Sequence, residues 1–372
     1  MNEIKEKAKV LFVMQMPPPV HGASIMGKYI RDSELINSSF ECHYINPSMA
    51  KDVGDLAKIS FRKILLFPKL LYNITKVIKR TKPDLCYFTP ASGKKGFYKS
   101  FLIVTWLKIL NQKIVLHFHN KGISRRKSDL LDSFLFKSFF KDVKLIILSS
   151  YLYPEFEEYV DFDNVSICAN GIPSSVSERK WIEKKDKFNM LFLSNMIAEK
   201  GVWLLLESCK LLKDEGYIFE CNFVGKWSMI QEKDFNEKVE VYGLGGFVRA
   251  HGAKYGNDKR EYFEKADIFI FPTFYENETF GLVLLEAMEY GIPCISTYEG
   301  GIPDVVENGK TGILIKEKNA NMLASEISHL MNNEDLRLEL GKNGRKAFKE
   351  KFTLKKFEKR MVNTLRTYIE EK

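Results

Sequence analysis

The chain lacks any apolar run near the roughly 20 residues that would cross a bilayer; its best stretches cover only residues 10–14 and 101–106. The first of these runs into Gln15 and then three prolines, so it is expected to be a first strand and not the apolar segment of a signal peptide. Cysteine pairing motifs are missing as well. The six cysteines (Cys42, Cys86, Cys168, Cys209, Cys221, Cys294) show no Cys-x-x-Cys spacing and mostly occupy apolar, strand-like segments, as reduced core thiols of a cytoplasmic protein would. No low-complexity tract and no short-period repeat is visible. G-x-G-x-x-G is absent too: the loop Pro17-Pro-Pro-Val-His21-Gly22 carries a single glycine, and Gly243-Leu-Gly-Gly-Phe-Val248 breaks the pattern at Val248. Without that phosphate-binding fingerprint an NAD-dependent enzyme is disfavoured.

Acidic charge is scarce in one half only. Residues 1–172 hold 26 Lys and Arg against 16 Asp and Glu, whereas the remainder holds 31 against 32, so the net charge of +9 belongs to the first half. No helix-turn-helix, zinc-finger or RNP pattern accompanies the excess, which argues against nucleic acid as the partner. An anionic membrane surface or a phosphate-bearing acceptor fits it, and a plain solubilising face fits equally.

What is present is a two-domain α/β pattern. At 372 residues, with 45% hydrophobic and 28% charged residues, the chain suits two domains of about 170–190 residues. Short apolar runs at 9–14, 41–45, 84–88, 113–118, 144–148 and 165–168 alternate with longer helical patterns, and a second series follows at 188–193, 219–224, 239–242, 267–271, 293–296 and 312–315. Near-continuous apolar strands of this length belong to parallel sheets covered on both faces, which implies two successive doubly wound domains. The turn Asn170-Gly-Ile-Pro173 and the polar stretch up to Phe188 read as the linker. Expected boundaries are 1–172, 173–352 and a terminal helix within 353–372, with Phe357, Met361, Leu365 and Tyr368 on one stripe.

The densest chemical signal is Phe271-Pro-Thr-Phe-Tyr-Glu-Asn-Glu-Thr-Phe-Gly-Leu-Val-Leu-Leu-Glu-Ala-Met288. Glu278 follows an apolar strand, and Phe280-Gly281 opens a helix whose free amides and positive dipole end can receive a diphosphate. Glu286 lies further along that helix among apolar neighbours, so its carboxylate needs a partner; vicinal ribose hydroxyls would supply two donors. Glutamates in helices usually make solvated ion pairs, and a single spacing proves little. Here Glu278-Thr-Phe-Gly281 is followed by Gly291-Ile-Pro-Cys294, Gly300-Gly-Ile-Pro-Asp304 and Glu307-Asn-Gly-Lys-Thr-Gly-Ile-Leu314. This series resembles the nucleotide-binding half of family 4 retaining glycosyltransferases (glycosyl transferases group 1), which carry two glutamates separated by seven residues.

The resemblance implies the GT-B fold: two Rossmann-like domains facing a central cleft, and a C-terminal helix that crosses back to the first. It also implies a nucleotide-diphospho-sugar as donor substrate, a glycan or lipid-linked glycan as acceptor, and no metal or other cofactor. Lys200-Gly201 would place an ammonium near a helix start for the phosphates. The family carries an arginine five residues ahead of this lysine, where Asn195 stands, and asparagine supplies neither the charge nor the bidentate fork. Thr279, Phe280, Gly281 and Gly22 are expected to line the donor, with Glu278 on sugar hydroxyls and Glu286 on the ribose. His119, at a strand end, matches the family's histidine against the donor sugar, while His117 is expected to be a satisfied buried histidine. The two lie on one strand face, but a histidine pair with no nearby third ligand does not make a metal site. Asp161-Phe-Asp163 precedes a strand and reads as an exposed loop, and His21 either fills its loop or touches the acceptor.

The stripe Ile64, Phe67, Leu70, Leu71, Ile74, Val77, Ile78, flanked by Arg62, Lys63, Lys69, Lys76, Lys79 and Arg80, packs a core or rests on anionic lipid, and Pro68 starts or kinks its helix. The expected function is hexosyl transfer with retention in surface polysaccharide synthesis, on the cytoplasmic side and peripheral to the inner membrane. Two alternatives remain open: a catalytically impaired binding or scaffolding relative, suggested by Asn195, and a sugar-nucleotide epimerase of the same architecture.

Overall fold

The computed structural model describes residues 6–18, 20–48, 61–126, 129–174, 187–316 and 318–371. It divides into two compact units, Met1–Asn170 with Leu354–Lys372, and Gly171–Thr353. Most of the expected linker, residues 175–186, lies outside the described residues.

The first unit is built on six strands: β1 (Lys9–Val13), β2 (Glu41–Ile45), β3 (Leu85–Phe88), β4 (Ile114–His117), β5 (Lys144–Ile147) and β6 (Val165–Ile167). All pair in parallel in the order β2-β1-β3-β4-β5-β6. Val10 to Val13 and all of β3 and β4 are buried, as helices on both faces require. The strand order reverses between β1 and β3, the position where a doubly wound sheet opens a crevice at its carboxyl edge. The terminal helix Leu354–Glu370 packs here: Phe357, Met361, Leu365 and Tyr368 are buried, and the Tyr368 hydroxyl donates to Leu145 O (3.1 Å) and meets Ser166 Oγ (2.7 Å).

The second unit carries β7 (Phe188–Leu193), β8 (Phe219–Val224), β9 (Val248–Ala250), β10 (Ile268–Ile270), β11 (Cys294–Thr297) and β12 (Gly312–Ile315). Their order, β12-β11-β10-β7-β8-β9, is the 3-2-1-4-5-6 arrangement of dinucleotide-binding sheets read from the other edge, with its switch point between β7 and β10. The loops that follow these two strands carry Lys200 and Glu278.

One expected strand is a correction. Residues 239–242 are not extended; they end the helix Glu232–Val241, on which Phe235 and Val239 are buried four residues apart. The sheet edge is instead Val248–Ala250, hidden in a glycine-rich stretch. A four-residue alternation of Val, Glu, Val and Tyr satisfies a strand period as well as a helix end, and only the preceding turn of helix resolves it. The basic helix spans Phe61–Thr81 and runs through Pro68 without ending. Leu70, Ile74 and Ile78 face the core, and the Trp106 indole donates to Thr75 Oγ1 at 2.9 Å.

Candidate functional site

In the second unit the chain leaves β7 through a 3₁₀ turn, Ala198–Lys200, closed by Gly201 at φ 91°. A side chain at Gly201 is forbidden twice over. Its backbone is left-handed, and a Cβ would lie 2.4 Å from Pro272 O. This contact seats the Lys200 loop against the loop that follows β10, and Phe274 N donates to Glu199 O (2.8 Å) to lace the two together.

Lys200 Nζ lies 2.6 Å from Glu278 Oε2, with side chains 14% and 11% exposed, and 4.3 Å from the Tyr275 ring centroid. Glu278 Oε1 accepts from Thr279 N (3.2 Å) and Gly281 N (3.1 Å). The amides expected to be open to a diphosphate therefore already hold a carboxylate at the start of the helix Leu282–Glu289. Gly300, at φ 56°, backs directly onto this loop; a Cβ there would meet Glu278 O at 2.2 Å.

Glu286, one turn along the same helix and 21% exposed, has a protein partner that its sequence neighbours do not reveal: Lys259 Nζ is 2.6 Å from Oε2. Burial pushes its carboxyl above the usual range, Lys259 pulls against that, and nearby Glu289 adds to the rise. Thr279 is buried and Phe280 fully so, its ring packed edge-on to Phe352 at 6.0 Å. Phe280 thus anchors the loop through the core, and only its backbone faces the helix end. Asn195 is exposed in the loop after β7, its carbonyl accepting from Ile197 N at 2.9 Å.

In the first unit Gly22 opens the helix Gly22–Asp32 and His21 is its N-cap. His21 Nδ1 accepts from Ser24 N (3.4 Å) while Ser24 Oγ accepts from His21 N (2.9 Å), a capping box. The imidazole proton therefore belongs on Nε2, and burial lowers the His21 pKa. His119, two residues past β4, packs against His117 with ring centroids 4.1 Å apart and planes tilted by 39°. Burial, helped by His21, lowers its pKa to about 4, so the ring is neutral at physiological pH. His117 is only half satisfied. One ring nitrogen, Nδ1, is 2.6 Å from the Tyr87 hydroxyl, while Nε2 is buried with no partner among the described residues. Asp161 precedes a short 3₁₀ turn, Phe162–Asn164, ahead of β6.

The residue that sets the His119 loop is Glu155, which nothing in the local sequence marks except its position between buried Leu152 and Phe156. Its Oε2 accepts from the amides of Gly122 (2.9 Å), Ile123 (2.9 Å) and Ser124 (3.1 Å), and Oε1 from the Ser124 hydroxyl (2.7 Å). Burial alone would raise this carboxyl, but the Ser124 hydroxyl and the amides outweigh it and hold the pKa below the usual range.

Two Rossmann-type parallel sheets, one in each unit and the second with a lysine and two glutamates about its switch point, give the chain the fold seen in GT-B glycosyltransferases. The fold matches a glycosyltransferase of Rickettsia africae ESF-5 (TM-score 0.74, 16% identity, 98% of this chain and 100% of that one). It also matches Anabaena Alr3699/HepE in complex with UDP-glucose (TM-score 0.70, 16% identity, 96% and 99%). Residues 175–347 match the family described as glycosyl transferases group 1. Among curated relatives, the amylovoran biosynthesis glycosyltransferase AmsK of Erwinia amylovora is 25% identical over 80% of this chain and 79% of its own length. The capsular polysaccharide biosynthesis glycosyltransferase CapM of Staphylococcus aureus is 28% identical over 50% and 48%.

Proposed function

We propose that the protein is a retaining glycosyltransferase that moves a hexosyl unit from a nucleotide-diphospho-sugar to a glycan or lipid-linked glycan in surface polysaccharide synthesis. The observation that carries this is the meeting of Lys200, Glu278 and the helix-end amides at the switch point, with Glu286 one turn beyond. Losing a charged nucleotide diphosphate from the anomeric carbon is the difficult step, so positive groups aimed at that charge lower the barrier most. Lys200 and the amides of Thr279 to Gly281 take that role once Glu278 turns to the sugar hydroxyls. Glu286 accepts from the ribose, and neutral His119 exchanges hydrogen bonds with the sugar. The bond from the anomeric carbon to the phosphate oxygen breaks, and the acceptor oxygen bonds to the same face. Its proton leaves with the phosphate. No metal or cofactor is assigned a part, since Lys200 and the amides supply the positive field. The polysaccharide product is suggested by the relatives named for amylovoran and capsule.

The test is thermal stabilisation by UDP, GDP, ADP and their sugar conjugates, for wild type and Glu286→Ala. A selective rise of several degrees, lost in the variant, is expected at ligand concentrations far above Kd. The same preparation should transfer sugar. Stabilisation with no turnover would favour the impaired relative that Asn195 suggests, isomerised donor would favour an epimerase, and no shift with any nucleotide would sink the donor site.

The acceptor side is assigned to an anionic membrane surface on the cytoplasmic face. Among the described residues no helix is long and apolar enough to cross a membrane. On the helix Phe61–Thr81, however, Leu65 and Tyr72 are 62% and 66% exposed, alongside exposed Lys69, Lys76, Lys79 and Arg80. Apolar tips set among cations suit lipid head groups. Co-sedimentation with vesicles containing anionic phospholipid, weakened by salt and absent with purely zwitterionic vesicles, is the expected result; equal binding to both, or to neither, removes this assignment.

A further inference from the structure

Lys259 belongs to no motif in the sequence, yet it holds the carboxylate on which nucleotide recognition is proposed to turn. It ends the 3₁₀ turn Gly256–Lys259 and precedes the helix Arg260–Lys265. That helix is pinned close to Glu286: Phe263 stacks on Tyr290 at 5.2 Å with rings 12° apart, and Tyr290 directly follows the Glu286 helix. The position of the ammonium, 2.6 Å from Oε2, is therefore set by core packing as well as by charge. Among the described residues no hydrogen bond reaches the other oxygen, Oε1.

We infer that Lys259 is a positioning residue for the nucleotide: it keeps Glu286 ionised and occupied on one oxygen, so that the other is presented to the ribose hydroxyls. This rests on Glu286 being the ribose acceptor. A neutral carboxyl in the same place would offer a donor of its own and one good acceptor, a poor match to a vicinal diol that brings two donors. Burial drives Glu286 toward that neutral form. The groups that face it are Lys259 from the 3₁₀ turn, and Glu289 and Tyr290 from its own helix and the residue after it. Arg260, beside Lys259, is paired with Glu264. Of these, Lys259 is the cation that opposes the neutral form.

The consequence is a pH dependence of binding that moves to higher pH when Lys259 is removed. Without the ammonium the Glu286 carboxyl titrates higher, so binding that needs the ionised form is lost at low pH and recovered as pH rises through the new value. Isothermal titration with UDP, GDP and ADP on wild type, Lys259→Met, Lys259→Arg and Glu286→Ala provides the test. The readout is the ratio of variant to wild-type Kd, in which the nucleotide's own ionisation cancels. For Lys259→Met that ratio is expected to be about tenfold at the acid end of the pH range measured and to fall toward one at its alkaline end. Lys259→Arg keeps the wild-type profile, and the 2′-deoxynucleotide loses the pH-dependent part. A Lys259→Met ratio that is one throughout, or raised equally at every pH, overturns the inference. If Glu286→Ala binds as wild type does, or no nucleotide binds at all, the ribose assignment itself fails and this inference fails with it.

Discussion

Replacing Lys200 by methionine lowers turnover of the nucleotide-sugar donor by about 10²- to 10³-fold, the loss expected when one donor aimed at developing negative charge is removed. The size follows from the surroundings. The Lys200 side chain is 14% exposed, sits over the Tyr275 ring and lies 2.6 Å from Glu278, so water cannot easily replace its charge. Asn195 stands where the family's second cation would be, which leaves Lys200 a larger share of the stabilisation. The substitution also strips a largely buried carboxylate of its cation, a change that costs about 3–5 kcal/mol at a fully buried pair. Two amides still hold Glu278, so a smaller loss of stability is expected here. Turnover is therefore measured well below the variant's own melting temperature, with Lys200→Arg alongside to restore the charge. Turnover within threefold of wild type, at equal folded fraction, would remove Lys200 from the chemistry.

Glu278→Gln moves two quantities in opposite directions. The Glu278 carboxylate competes for the groups a phosphate would use: the Lys200 ammonium and the amides of Thr279 and Gly281 all point at it. Removing its charge frees the ammonium and ends repulsion between carboxylate and phosphate, so the bare nucleoside diphosphate binds about tenfold tighter, comparable to one charge-assisted hydrogen bond. Sugar transfer falls at least about 10²-fold, because the carboxylate that would take the sugar hydroxyls is gone and a buried polar mismatch replaces it. Titration of UDP, GDP or ADP against both proteins, with transfer assayed on the same samples, decides the matter. If the variant binds the bare diphosphate more weakly, the carboxylate supports the anion site and does not compete for it.

Much of the chain's architecture is local and could be read as such. Strands β1 to β8 and β10 to β12 coincide with the expected runs; β1, β3, β4, β5 and β10 to β12 are largely apolar and buried at nearly every position, as strands covered on both faces must be, while the edge strands β2 and β6 are only partly buried. The terminal helix shows the same: its i, i+4, i+8 stripe of Phe357, Met361 and Leu365 is the face that is buried. Where the local pattern is short it fails, as at residues 239–242, since four alternating residues fit either period and the neighbouring helix turn decides between them.

Lys200, Glu278, Glu286 and His119 were each conspicuous in the sequence by neighbouring glycines, strand ends or an apolar helix, but their partners were not. Lys200 and Glu278 are 78 positions apart and meet because β10 inserts beside β7, a choice of strand order that depends on which faces bury most area and leaves no mark in either segment. Lys259 beside Glu286, Tyr87 beneath His117, and Glu155 under the amides of Gly122 to Ser124 are of the same kind. By itself the sequence determined where most strands and helices form, the stretch from Val239 to Ala250 excepted, and which side chains are chemically out of place in them. Only the tertiary structure decided which charges compensate one another, because a buried carboxylate or imidazole takes its partner from whatever the packed sheet brings within hydrogen-bond reach.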